Sequence, residues 1–475
     1  MKNNFKVLIF LSFFFVLFSC KKEEKIEMPN IILIMTDDQG WGQTGYYNHP
    51  ILKTPNLDAM AKNGIRLDRF YAGAPQCSPT RASVLTGRNN DRTGVFYHGY
   101  TLNRNEKTIA QVLKKAGYAT GHFGKWHLNG LRGPGVPIFK DDRYSPGVFG
   151  FDRWLSVTNF FDIDPVMSYN GEFIEFEGSS SEIIVGEALK FIKEKKAMDL
   201  PFFTVIWDGS PHSPMLASEE DRSEFKDLDE RSQHHYGELV AFDRSLGVLR
   251  KELKELGISD NTILWFCSDN GGLNGILPST VGGLKGFKNT MWEGGLRVPA
   301  IIEWPAVIKS SISNYPTSTM DIFPTILDIV GISESEILNP IDGISIKPIF
   351  NSEKENRSVK IPFRFDDRGA MIDNNIKLVV RSIKDSQFEL YNLGRDPKES
   401  NDISDENQEV FEVMKKDYLD WNMSVENSIK GNDYSNSEVS NDSFPKVWNT
   451  DERYKPYFTQ WSKRPEYKNW IKIEK

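Results

Sequence analysis

The sequence predicts a layered α/β fold with a large, mostly parallel central sheet, followed by a smaller C-terminal α+β subdomain. Three observations predict it. Continuous apolar runs at 30–35, 202–207 and 262–267 have the texture of strands buried on both faces. Helical spacing fills the stretches between them, at 57–64, 79–88, 108–117, 182–195 and 232–256. Helices that alternate with buried strands form such layers. Two weaker runs, 118–123 and 299–304, add further strands. Past about residue 350 the texture changes. The stretches 377–383 and 388–391 read as strands of a small sheet, 401–408 is polar, and 409–421 is helical. The last fifty residues, rich in Tyr, Trp, Pro and Lys, read as a wrapping tail. With 475 residues, and domains of roughly 150 each, two or three units are expected. We divide the chain into a main unit at 29–355 and a C-terminal subdomain with its tail at 356–475.

The first residues stand apart. Lys2 and Lys6 precede an apolar run at 7–18 that is short for a membrane span. Leu17-Phe18-Ser19-Cys20 then resembles a bacterial lipobox. The resemblance implies a signal peptide at 1–19, acylation (palmitate) of Cys20, and a charged tether at 20–28. Each buried acyl CH₂ contributes roughly 0.8 kcal/mol, so several chains anchor firmly. The expected location is that of an exported lipoprotein in the outer membrane, on its cell-surface or periplasmic face. The alternative is an ordinary secretory signal with an incidental Cys.

The net charge of −8, without long runs of one sign, argues against nucleic acid, which requires a basic face. Any anion site must be assembled locally from Lys, Arg and His. There are three cysteines. Cys20 is assigned to lipid. Cys267 closes an apolar run and is expected in the core. Cys77 is left unpaired in a Gly/Pro-rich segment, which calls for a chemical explanation.

In open α/β sheets, ligands bind beyond the carboxyl ends of the strands. Here one apolar run ends at Asp37-Asp38 and another at Asp269-Asn270. A third ends before Lys125 and His127, and a fourth before His212. One Asp after a strand is ordinarily a cap or turn residue; four such ends delivering polar groups to one edge are harder to dismiss. Three carboxylates and an amide oxygen are hard donors that suit Ca²⁺ or Mg²⁺ rather than Zn²⁺.

The strongest local motif is Cys77-Ser78-Pro79-Thr80-Arg81, continuing to Gly87-Arg88. It resembles the signature of type I, formylglycine-dependent sulfatases, such as those that bacteria direct at polysaccharides. Other blocks resemble the same family: Asp37-Asp38, Gly124-Lys125-Trp126-His127, Ser268-Asp269-Asn270-Gly271, Lys288 to Gly295, and Glu389 to Leu393. The resemblance implies an alkaline-phosphatase-like sandwich. It implies that Cys77 is converted to formylglycine (3-oxoalanine) by a formylglycine-generating or anaerobic sulfatase-maturing enzyme. It implies one Ca²⁺ held by Asp37, Asp38, Asp269, Asn270 and the modified Cys77. It assigns Arg81, Lys125, His127, His212 and Lys288 to the reacting groups. Lys288 departs from the usual pattern, because Asn289 stands where Gly commonly follows, and Lys285 is the competing lysine. The implied reaction is hydrolysis of a sulfate ester on a sulfated algal or host carbohydrate; ulvan, carrageenan and glycosaminoglycans all fit, with ulvan or another algal polymer preferred.

Asp208, Asn129, Arg143, Trp207 and His98 are further candidates to line the substrate cleft. His234 and His235 read as structural or surface groups, and Asp243 as an ion-pair partner. Two other functions remain open at this point: a non-catalytic glycan-binding lipoprotein, and a phosphate or phosphonate ester hydrolase on the same fold. The second commonly uses Thr or Ser with two zinc ions. This chain has Cys in that place and seven His in all, few for a zinc pair.

Overall fold

The structure is a computed structural model that describes residues 28–352, 354–435, 439 and 444–471. The proposed signal peptide, Cys20 and nearly all of the tether lie outside the described residues. Among the described residues, no helix is long and apolar enough to cross a membrane.

A ten-stranded sheet forms the middle layer. From edge to edge it runs Ser311–Ser313, Ile65–Leu67, Ala300–Glu303, Thr262–Ser268, Asn30–Thr36, Phe202–Trp207, Ala119–Lys125, Arg153–Val157, Val166–Tyr169 and Glu172–Glu175. The apolar runs are continuous because both sheet faces are covered. In the strand Asn30–Thr36, Ile31, Leu33 and Met35 enter one core, while Ile32 and Ile34 enter the other. The helices Cys77–Thr86, Ile109–Lys115 and Ile322–Val330 cover the first face. Pro55–Asn63, Ser180–Ala197 and Glu230–Glu255 cover the second. Each fully buried Leu, Ile or Phe contributes about 1.5–3 kcal/mol.

The five central strands are parallel, and the wings are mixed. The strand Ala300–Glu303 runs antiparallel to its neighbour. So do Val166–Tyr169 and Glu172–Glu175, which form a hairpin turned by Asn170-Gly171. Both turn residues have positive φ, 49° and 97°, the requirement of a tight hairpin turn that Asn-Gly meets. The Asn-Gly signal was in the sequence. The strands around it are short, and Glu172–Glu175 is largely exposed, so no apolar run marks them.

Register places the site. Met35 is level with Cys267 on one side and with Trp207 on the other, and Gly124 is level with Trp207. Four strands therefore end together, and their polar turns emerge at one edge.

The C-terminal sheet is an antiparallel meander of Ile361–Phe365, Arg368–Asp373, Ile376–Ser382 and Gln387–Asn392. The first two of these strands carried no expectation. The helix Gln408–Ile429 covers one face through Met414 and Tyr418, and it runs past the expected end at 421. The other face packs Phe363 and Ile372 against Tyr71 and Met320 of the main unit. In the tail, Trp448, Tyr454, Trp461 and Tyr467 bury themselves against Leu131 and Val136. Lys446–Val447 adds a short parallel strand beside Leu131–Arg132.

Candidate active site

Asp37 and Asp38 follow the strand Asn30–Thr36, and Asp269 and Asn270 follow Thr262–Ser268. Lys125 ends Ala119–Lys125, with His127 two residues on. Cys77 is the first residue of the helix Cys77–Thr86, so it sits at the positive end of that macrodipole, about half a unit charge. Two local devices hold these turns. Gly124 has φ 108°, and a Cβ there would lie 2.0 Å from the Trp207 carbonyl oxygen. Only glycine lets these strands approach so closely. Ser78 Oγ donates to the His127 carbonyl at 2.6 Å and accepts from Gly99 N at 2.7 Å, locking the Lys-Trp-His turn to the helix start. Asp38 and His127 both sit in the left-handed region, at φ 70° and 57°, a strained state for non-glycine residues.

The side chains converge as the strand ends imply. Cys77 Sγ donates to Asp37 Oδ1 at 3.1 Å, and Lys288 Nζ stands 3.4 Å from the same sulfur. Lys125 pairs with Asp37 Oδ2. Arg81 binds Asp269 at 2.9 Å and Asp37 at 3.4 Å, with its guanidinium 5.0 Å above the Trp207 ring. Asp38 Oδ1 accepts from Lys288 at 2.5 Å and from Asn270 Nδ2 at 2.7 Å. His212 Nε2 lies 3.9 Å from Asp38 Oδ2. All three aspartates are at most 1% exposed.

Burial opposes ionisation of Asp37, but Lys125, His212, Arg81 and Lys288 overcome it and hold that carboxyl well below its usual range. Burial and the charge of Asp37 push Asp269 up to about 7. Burial, then Asp269 and Asp37, push the Cys77 thiol up, away from the thiolate that a cysteine nucleophile needs. Burial, then Lys288 and Lys125, lower His212 to about 4.

The donor set fits a hard divalent cation. Ligand atoms of Asp37, Asp38, Cys77 and Asp269 all lie within 4.8 Å of one another; His212 forms a second such group with Asp37 and Cys77. Asp38 Oδ2 and Asn270 Oδ1 are buried without a hydrogen-bond partner among the described residues. Buried oxygens without partners are costly, and a cation coordinated by them removes that cost.

A cavity of about 410 Å³ opens on this cluster and is bounded by Cys77, His127, His212 and Lys288. Arg81 and Lys125 are fully buried behind Asp37, off the cavity wall. His98 also borders it, as expected. Gln76, Tyr97, Arg132, Phe160 and Trp470 are also part of the wall, and none of them was singled out from the sequence. Arg132 lies in a Gly-rich turn shortly after Lys125 and His127, which was a usable signal. Trp470 had none, because it arrives from the far end of the chain. Two larger cavities, of about 570 and 580 Å³, lie beside Arg250 and beneath Trp421, away from this cluster.

Several expectations are corrected. Asp208 is buried, and its Oδ1 accepts from Ser210 N at 2.9 Å, so it does not face the cavity. Asn129 donates to Asp142 at 3.2 Å, and Arg143 is exposed elsewhere; neither borders the cavity. Trp207 is a core residue beneath Arg81. Lys285 turns away, with Nζ 3.4 Å from the Trp292 ring centroid and bonded to the Glu399 carbonyl at 2.9 Å, so Lys288 is the lysine at the site. Asp243 is no ion-pair partner: it accepts from Asn56 N and Leu57 N, capping the helix Pro55–Asn63. The reading of His234 and His235 as structural groups holds: His235 is buried 2.6 Å from Gln43, His234 accepts from Ala217 N, and neither borders the cavity.

A family model described as Sulfatase matches residues 29–332, and one described as N-sulphoglucosamine sulphohydrolase, C-terminal, matches residues 285–423. The N-acetylgalactosamine-6-sulfatase of Canis lupus familiaris is 34% identical over 358 residues, covering 67% of this chain and 65% of that protein. The match thus spans just under two thirds of that relative's length. An ulvan-active sulfatase from Formosa agariphila is 29% identical over 395 residues, covering 76% of this chain and 72% of that protein. The crystal structure of Ps i-CgsB in complex with k-i-k-neocarrahexaose superimposes with a TM-score of 0.75 at 23% identity, covering 94% of this chain and all of that one. That likeness bears on the fold, which is the alkaline-phosphatase-like sandwich.

Proposed function

Since this chain belongs to the sulfatase family, we propose that it hydrolyses sulfate esters on a sulfated carbohydrate, with Cys77 converted to formylglycine and one Ca²⁺ at the aspartate cluster. One observation carries the reading: Cys77 stands within 3.1 Å of Asp37 and 3.4 Å of Lys288, inside a cluster of three buried carboxylates and at the base of an open cavity. An ordinary buried thiol has no need of that company.

The hydrated aldehyde supplies one hydroxyl for attack and a second for release, and Ca²⁺ offsets negative charge on the sulfate. Asp37, Asp38, Asp269 and Asn270 would hold the cation, with the modified Cys77 as a further ligand. Arg81 fixes two of these carboxylates, and Lys125 holds Asp37, so both are positioning residues. His127, His212 and Lys288 border the cavity as donors to sulfate oxygens, and losing one such donor costs about 3 kcal/mol of barrier. Lys288, which stays charged, would give a proton to the departing alkoxide, and His212, held neutral by burial and the two lysines, would assist as a hydrogen-bond donor.

An algal polymer such as ulvan, or its oligosaccharides, is the preferred substrate; similarity to the ulvan-active sulfatase supports it. Export as an outer-membrane lipoprotein through Cys20 rests on the lipobox resemblance, and labelling with a palmitate analogue, lost in Cys20→Ala, tests it. The alternatives are a phosphonate ester hydrolase and a binding module without catalysis.

The test is mass analysis of the Cys77 peptide from a host with the converting enzyme, joined to sulfate release from defined sulfated oligosaccharides. An aldehyde at Cys77, with release abolished in Cys77→Ala, supports the reading. An unmodified thiol without turnover favours the binding module. Turnover of phosphonate but not sulfate esters favours the hydrolase.

A further inference from the structure

The active-site cavity contains one cation that the sulfate chemistry does not use. Arg132 borders it together with Cys77. Its Nε donates to the His98 carbonyl at 3.1 Å, and its guanidinium carbon lies 5.7 Å from the Tyr97 ring centroid. Among the described residues it pairs with no carboxylate, and its two terminal nitrogens have no protein acceptor. Arg81, at the same site, is tied to two aspartates.

Arg132 is also held in place. Leu131–Arg132 pairs with Lys446–Val447 of the tail. The next residue, Gly133, offers its carbonyl to Asn159 Nδ2 at 2.7 Å. A Cβ on Gly133 would come within 2.9 Å of Trp448, so the tail packs hard against this turn. Trp470 and Val447 of the tail border the cavity themselves. Both lie beyond residues 29–423, the stretch matched by the family models. A guanidinium fork on a rigid backbone, free at its tips, is suited to bidentate capture of an oxyanion.

Building on the sulfatase reading, we propose that Arg132 binds a second acidic group of the substrate, a carboxylate or a further sulfate, so that this site selects sugars carrying an anion besides the sulfate it removes. Trp470 and Tyr97, both partly exposed beside it, offer apolar faces to the sugar ring.

The test compares matched substrates. One pair is a sulfated disaccharide containing a uronate and the same disaccharide with that carboxyl reduced to an alcohol. The other is a disulfated disaccharide and its monosulfated counterpart. The wild-type protein is expected to favour one of the charged members in kcat/KM by roughly 10- to 100-fold, the range of a charge-assisted hydrogen-bonded contact. Which pair shows the preference identifies the group. Arg132→Gln is expected to bring that ratio close to one, and Arg132→Lys to leave part of it. An unchanged ratio in Arg132→Gln, or no preference in either pair, overturns the proposal.

Titration calorimetry of the same sugars, on protein whose Cys77 is left as thiol, separates this inference from the reaction. Binding that depends on the second anion and on Arg132, with no turnover by the converted protein, upholds the inference while the sulfatase reading fails. Turnover that ignores Arg132 does the reverse. Affinity blind to the second anion overturns the inference whether or not the enzyme turns over.

Discussion

Lys288 stands between Cys77 and Asp38, with its Nζ 3.4 Å from the sulfur of one and 2.5 Å from a carboxylate oxygen of the other. One ammonium therefore ties the proposed nucleophile position to the proposed cation cradle. Lys285, three residues earlier, is spent on Trp292 and Glu399.

The two lysines should separate cleanly in kinetics. Lys288→Ala is expected to lower kcat/KM for a sulfate ester on the order of 10²- to 10³-fold, as removal of an oxyanion donor does. Lys285→Ala should cost about 1 kcal/mol of stability through its lost contact with the Trp292 ring, with kcat within a few-fold of wild type. Steady-state rates and thermal melts of both variants check this. A large kcat loss confined to Lys285→Ala would reverse the assignment.

Removing the metal should destabilise the fold as well as stop turnover. Asp38 Oδ2 and Asn270 Oδ1 are buried without protein partners. Calcium at a hundred times its dissociation constant is expected to stabilise by about 2.7 kcal/mol. Chelation should lower the melting temperature correspondingly, calcium should restore it, and Asp38→Asn should blunt the response. Recovery with zinc but not calcium or magnesium would speak against the oxygen-donor reading.

How much of this was legible depends on how local the signal is. Asp37-Asp38, Lys125 and Asp269-Asn270 each follow an apolar run, so the sheet-edge rule brings them together from the sequence alone. The hairpin at 166–175 was missed because its strands are short and one is exposed. Arg132 and Trp470 share a cavity, but they meet only through tail packing of Trp448, Trp461 and Tyr467 on the turn after Leu131. Such long-range contact leaves no periodicity to read. Asp208 failed for the opposite reason: it follows a strand like the residues of the cluster, yet its turn bends it back into the protein.

Gly124 tests whether strand spacing places the site. An added Cβ would meet the Trp207 carbonyl oxygen at 2.0 Å. Gly124→Ala is expected to cost about 1–3 kcal/mol by overpacking, and to depress kcat further by displacing Lys125 and His127. Gly117 is the control: its φ is also positive, at 96°, but nothing lies within 4 Å of the added carbon. Gly117→Ala should carry only the backbone strain, about 1 kcal/mol, with kcat unaffected. Urea melts and rates on the two variants distinguish spacing from φ.

A group of acids beside the site contributes one part of the pH dependence of stability. Asp208 and Glu238 are buried, and Asp162 Oδ1, Asp208 Oδ2 and Glu238 Oε2 have no hydrogen-bond partner among the described residues. Burial, then neighbouring carboxylates, push Asp162 up to about 8 and Glu238 well above its usual range. In the native protein these acids keep protons that the unfolded chain releases above about pH 4. Through these acids the native state binds more protons in that window, so their own contribution to stability falls as the pH rises from about 4 to 8, by up to about 1.4 kcal/mol per pH unit for each proton retained; below about pH 6.5 it is opposed by the buried imidazoles, such as His212 and His235, whose lowered pKa makes their contribution rise with pH. Glu238→Gln removes one titrating group and its repulsion of Asp162, so the decline should flatten. Urea midpoints at pH 5 and pH 8 measure it. An equal drop in wild type and variant would mean that these carboxyls are already relieved in the native state.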